Sequence, residues 1–165
     1  MNYTYIPALC GRQPTPQERS VAQGKYPNLV HCEWSITGEA TSTYNCIAWS
    51  VGVTNEWFWW EVDDAGDMDG VIEESDFDAF YADYGYVPTD DINQAVILLY
   101  RDPAHAAPDN PDGITHAARR AGCNCGAGRW TMFESKRGRN VRIEHRRDQL
   151  SGGYYGDYFK GYESQ

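Results

Sequence analysis

Apolar positions along this chain fall in short clusters separated by polar, turn-rich stretches. Ala95-Val96-Ile97-Leu98-Leu99-Tyr100 is a fully apolar run of strand length and reads as a central strand. Further strands are expected at about 113–119, 129–135 and 141–145, a last one at 154–162, and a weak one at 29–36. Two segments carry helical signals. Residues 46–52 form a short apolar run behind a polar turn, and Gly52 is placed to end it. Ser75 caps a predicted helix over 76–84, with Phe77, Phe80 and Tyr81 as its apolar stripe. Residues 1–40 hold Pro7, Pro14, Pro16 and Pro27 and read as an irregular segment packed on the core. Residues 41–165 read as one folded domain, helix first and then a mostly antiparallel meander, which makes the expected class α+β. The sequence shows no βαβ alternation, phosphate loop, dinucleotide fingerprint or internal repeat.

Composition narrows the picture. With 165 residues, 41% of them hydrophobic, the chain can bury one real core, and 16 glycines with 8 prolines favour a loop-rich domain over a helical bundle. No apolar run approaches the ~20 residues that span a bilayer. The segment Met1-Asn2-Tyr3-Thr4-Tyr5-Ile6-Pro7 lacks the basic-then-apolar pattern of a secretory signal, so cytoplasmic residence is expected, with export by a dedicated secretion system as the alternative. A net charge of −10 argues against nucleic-acid and anionic-membrane partners. That charge is uneven: residues 61–92 hold twelve acids and no Lys or Arg, whereas 118–147 hold nine of the fourteen bases. The two segments are expected to neutralise each other in part or to be solvated.

Five cysteines without a signal segment read as reduced thiols. Cys10, Cys32, Cys123 and Cys125 could supply a four-thiolate zinc site, but with one close pair and not two, no metal is expected there. The acidic stretch 64–76 resembles a calcium loop. With Gly70 at the sixth position, Asp67, Asp69 and Asp76 stand at positions three, five and twelve, but Ala65 at position one brings no carboxylate. The competing reading is an acidic turn before the helix, and no cofactor is expected.

Cys46 carries the chemistry. The polar run Ser42-Thr43-Tyr44-Asn45 delivers it to the start of a helix, where unpaired N–H groups and a partial positive charge favour the nucleophilic thiolate. Gly113-Ile114-Thr115-His116-Ala117-Ala118 places a histidine on a later strand. A cysteine opening a helix and a later strand histidine suit nucleophilic attack on a carbonyl, with His116 as proton carrier. The N–H of Cys46 would form half of an oxyanion hole, with the other half from Thr41, Thr43 or Tyr44. Glu134 is the first choice for orienting His116, and Ser135 the alternative. Glu144 and His145 read as strand-edge packing. The tryptophan-rich block 57–60 reads as core packing or a cleft wall beside Cys46.

Tyr44-Asn45-Cys46-Ile47-Ala48-Trp49-Ser50-Val51-Gly52 resembles the "YNCIAWALG" opening of a bacterial domain family of the papain-like, NlpC-type cysteine hydrolase superfamily. The 57–60 block, Phe80-Tyr81-Ala82-Asp83-Tyr84-Gly85-Tyr86, the 95–100 strand, Thr115-His116-Ala117-Ala118-Arg119, Ser135-Lys136-Arg137-Gly138 with Ile143-Glu144-His145, and Tyr155-Gly156 resemble later pieces of it, in order, across roughly 40–162. The resemblance implies a papain-like fold over 41–165, with a Cys-bearing helix packed on a mostly antiparallel sheet. It also implies a Cys46–His116 pair. The expected function is a cysteine hydrolase or acyl transferase acting on a peptide or protein amide. The alternatives are a catalytically inactive binding module of that fold and a calcium-binding protein using the 64–76 loop.

Overall fold

The extended runs described in the second half of the chain pair into one sheet. In the computed structural model, which describes residues 11–29, 34–121, 132–146 and 149–165, seven strands pair in the order β1-β6-β5-β4-β3-β7-β2. They are β1 (Ser35–Gly38), β2 (Tyr86–Thr89), β3 (Ile97–Arg101), β4 (Ile114–Arg120), β5 (Met132–Lys136), β6 (Arg142–Arg146) and β7 (Asp157–Ser164). Each pairing is antiparallel. β1 and β2 are outermost, and Arg12 bridges to Ile36 along the outside of β1.

Side chains alternate across a strand, so consecutive residues of β3 and β4 enter different cores. Ile97, Leu99 and Ala117 face one cluster, built with Ile47 and Ala48 of α2 (Cys46–Ser50), Val62 of α3 (Trp60–Ala65), and Phe77, Phe80 and Tyr81 of α4 (Glu74–Asp83). Leu98, Tyr100 and Ala118 face the other, covered by Ala22 of α1 (Pro16–Lys25) with Tyr26 and Leu29. A register shift between Tyr100 and Arg101 pairs Tyr100 with His116 and Arg101 with Ile114, leaving Thr115 as the extra residue of β4.

This architecture corrects the α+β, papain-like, NlpC-type expectation. A single antiparallel seven-stranded sheet dominates, and the four α-helices among the described residues are short, none longer than ten residues. The physical reason lies in run length. The helical patterns last one to three turns, while nearly every extended run finds a partner strand. Beyond the helix predicted over 76–84, Tyr86–Thr89 form a further strand that pairs Tyr86 with Ser164 and Thr89 with Gly161. Within the segment read as irregular, the described residues 11–29 and 34–40 hold regular structure. Thr15 and Glu18 form a capping box on α1 with Pro16 in its first turn, and 35–38 enter the sheet. Among the described residues no helix is long and apolar enough to cross a membrane.

Candidate active site

Asn45 makes the start of α2. Its side-chain oxygen accepts from the N–H of Ala48 at 3.1 Å and of Phe58 at 3.2 Å, and its Nδ2 donates to the Phe58 carbonyl at 2.5 Å. One buried amide therefore caps the helix and ties it to the tryptophan-rich loop. Cys46 follows, half-buried against the α2-side core. Burial pushes its thiol pKa up. The N–H groups of Ala117, Ile47 and Cys46 and the charge of Lys136 pull the other way without prevailing.

Lys136 is fully buried on the same side of the sheet. Its Nζ donates to the carbonyl of Thr41 at 2.8 Å and to that of Gly138, and lies 5.0 Å from the Tyr44 ring centre. Burial lowers its pKa, the proximity of Cys46 raises it, and Arg142 lowers it. Lys136 thus fixes the loop leading into Cys46 and puts a positive charge near the sulfur.

His116 has a different setting. It is fully buried, stacks face to face on Tyr155 at 3.9 Å and meets Tyr100 edge-on at 5.3 Å. Both partners belong to the α1-side core, whereas Cys46 packs on the other cluster. Neither ring nitrogen has a hydrogen-bond partner among the described residues. Burial, followed by the charges of His145 and Arg137, holds its pKa well below the usual histidine range. The resting pair is therefore a neutral thiol and a neutral imidazole, with no hydrogen bond between them.

Glu134 does not reach His116. It accepts from Thr37 Oγ1 at 3.0 Å and pairs with Arg142 at 3.3 Å, so its place is in the brace between β1, β5 and β6. Arg142 extends that brace to α2, its guanidinium lying 3.9 Å over the Trp49 ring. Ser135 bonds His145 Nε2 at 2.6 Å instead of His116. Thr41 and Thr43 bond each other through their hydroxyls at 2.7 Å, and the Tyr44 hydroxyl accepts from Arg142. The sequence reading missed Asn45, Lys136, Arg137 and Tyr155 as site residues. An asparagine just before a helical run is a capping signal and could have been found; the other three carry no local signal.

Cys46 opens on a cleft of about 480 Å³. Trp57, Trp59, Tyr154 and Tyr155 supply aromatic walls, and Lys25, Arg137 and Arg139 supply charge. His116 does not line it; Tyr155, stacked on that imidazole, does.

The acidic loop is arranged otherwise than its spacing suggested. Asp76 spends both oxygens on the backbone N–H groups of Asp67 and Glu73, boxing the start of α4. Asp63, Asp67 and Asp69 come together instead, with carboxylate oxygens within 4.8 Å of one another. Cys10, Cys32, Cys123 and Cys125 lie outside the described residues.

Fold and cleft define a class: a β-rich, single-sheet domain that presents one cysteine at a helix start to an aromatic and basic cleft. The chain belongs to the family described as Domain of unknown function (DUF7689), which matches residues 35–163. Neither the curated proteins nor the solved structures yield a match to it.

Proposed function

We propose that this chain is a cysteine hydrolase or acyl transferase acting on a peptide or protein amide, with Cys46 as nucleophile and His116 as base. The observation that carries the reading is the seat of the sulfur. It lies at a helix start, in the wall of a cleft, where neighbouring backbone N–H groups and the charge of Lys136 oppose the burial that raises its pKa. Such donors stabilise a thiolate, and the Cys46 N–H can hold the oxyanion of a tetrahedral intermediate. Because both groups rest neutral, the proton passes from Sγ to the imidazole as the S–C bond forms, and then to the amine as the C–N bond breaks. Water or a second nucleophile then releases the acyl group. The imidazole makes no hydrogen bond to Cys46 at rest and faces the α1-side core, so the reading requires the His116 ring itself to reach the cleft when substrate binds.

The test is adduct mapping with a pooled peptide vinyl sulfone library. An adduct on Cys46 that disappears in His116→Gln, with the melting temperature kept, supports the pair. Adducts spread over several cysteines regardless of His116 would sink it.

A second reading, calcium binding, rests on its own observation. Asp63 is 5% exposed, and its Oδ1 has no hydrogen-bond partner although it stands within the Asp63–Asp67–Asp69 group. Oxygens around calcium at about 2.4 Å lie at most roughly 5 Å apart, so the trio has the right spread. Saturating calcium is expected to raise the melting temperature by about 5 °C, and Asp67→Asn with Asp69→Asn to abolish the rise. An unchanged melting curve, or equal effects of calcium on wild type and variant, rejects this reading.

A further inference from the structure

The cleft departs from the electrostatic character of the chain around it. The sequence carries 24 acids against 14 Lys and Arg, yet three cationic side chains line the cleft and, among the described residues, no carboxylate does. Within that trio Arg137 is the unusual member. It follows β5 directly, is 7% exposed, and its Nε has no hydrogen-bond partner. No carboxylate among the described residues pairs with it; its guanidinium lies over the Tyr26 ring, 5.0 Å from the centre.

An arginine this buried ordinarily needs a carboxylate or an array of carbonyl acceptors, because taking a guanidinium out of water is costly. An aromatic face offsets part of that cost and leaves the planar N–H edges free. Those edges match a carboxylate in two-pronged geometry. The cleft volume suits a ligand of several residues' bulk, and Trp57, Trp59 and Tyr154 offer surfaces for an apolar or flat portion.

We infer that Arg137 is a carboxylate-binding subsite of the Cys46 cleft, and that the amide substrate carries a carboxylate held by this guanidinium, with Lys25 and Arg139 at the rim drawing the anion in. This rests on the cysteine hydrolase or transferase reading for the word substrate. Recognition of the carboxylate does not depend on turnover.

The experiment uses Cys46→Ala protein and short peptides made as isosteric pairs, Glu against Gln and free carboxyl terminus against terminal amide, with binding measured by calorimetry. The carboxylate member is expected to bind roughly 10- to 100-fold more tightly. Arg137→Gln is expected to erase the preference, and Arg137→Lys to keep part of it. The melting temperature of ligand-free Arg137→Gln should not fall, because no protein carboxylate loses a partner. A preference that survives Arg137→Gln, or no preference in any pair, overturns the subsite. A preference that vanishes in Arg137→Gln while the wild type turns over no bound peptide supports the subsite and removes only the nucleophile reading.

Discussion

Replacing Asn45 with alanine tests how the cysteine is held. The substitution removes three hydrogen bonds at once: the cap on Ala48 N–H and both bonds to the Phe58 backbone. Loss of the cap costs about 1 kcal/mol. Phe58 is 6% exposed, so its N–H and carbonyl lose their partner where water hardly reaches, at about 1–3 kcal/mol each. The sum is about 3–7 kcal/mol, a large share of the ~5–15 kcal/mol that holds a domain folded. For a domain of this size it corresponds to a fall in melting temperature of about 10 °C or more. Urea unfolding with linear extrapolation measures the free energy directly. Asn45→Asp sharpens the test. Aspartate keeps both acceptor contacts but sets a buried carboxylate oxygen against the Phe58 carbonyl oxygen, so it should cost no less than Asn45→Ala. Its carboxylate beside Cys46 should also push the thiol further up, seen as iodoacetamide labelling that begins at higher pH. A loss below about 1 kcal/mol for Asn45→Ala, or an Asn45→Asp variant as stable as the wild type, would refute the account of Asn45 as a three-bond anchor.

Two more predictions concern buried titratable groups. The His116 pKa is depressed in the folded chain, so the unfolded chain takes up its proton first as pH falls. Stability is therefore full above about pH 6.5 and declines below it, at up to ~1.4 kcal/mol per pH unit from this residue; His116→Gln should flatten that slope, and equal slopes would exclude His116 as the cause. Lys136→Met removes a fully buried charge and its two carbonyl contacts. Unfolding free energy should change by about 1 kcal/mol or less, since relief of desolvation offsets the lost bonds, while Cys46 labelling moves to higher pH; an unchanged labelling curve would exclude electrostatic coupling.

The sequence made parts of this site readable because they depend on neighbours along the chain. The helix start at Cys46 follows from a polar run ahead of an apolar one. The burial of Phe77, Phe80 and Tyr81 follows from their spacing, and the burial of Ile97 to Tyr100 from an unbroken apolar run. The helix over Pro16–Lys25 was also legible, in Thr15, Pro16 and Glu18, but the density of prolines masked it. What could not be read depends on pairing between distant segments. The side of the sheet that His116 faces is fixed by its register opposite Tyr100 and by the extra residue at Thr115. Glu134 is claimed by Thr37 and Arg142, partners remote from it in sequence or on another strand. The gathering of Asp63 with Asp67 and Asp69, in place of Ala65 and Asp76, depends on the turn of α3.

The sheet also ends deliberately at both margins. Arg12 exchanges backbone hydrogen bonds with Ile36 at 2.9 Å each way, occupying the rim of β1, and a Cβ on the preceding Gly11 would stand 2.2 Å from the Ile36 carbonyl oxygen. On the far margin β2 contains Pro88, which has no N–H to offer a newcomer. Open β edges are where foreign strands add and where aggregates grow. Here one rim is bridged at Ile36 and the other is missing a donor at Pro88. An extended segment is thereby discouraged from joining the ladder, and crowded copies of the chain have little to zip together.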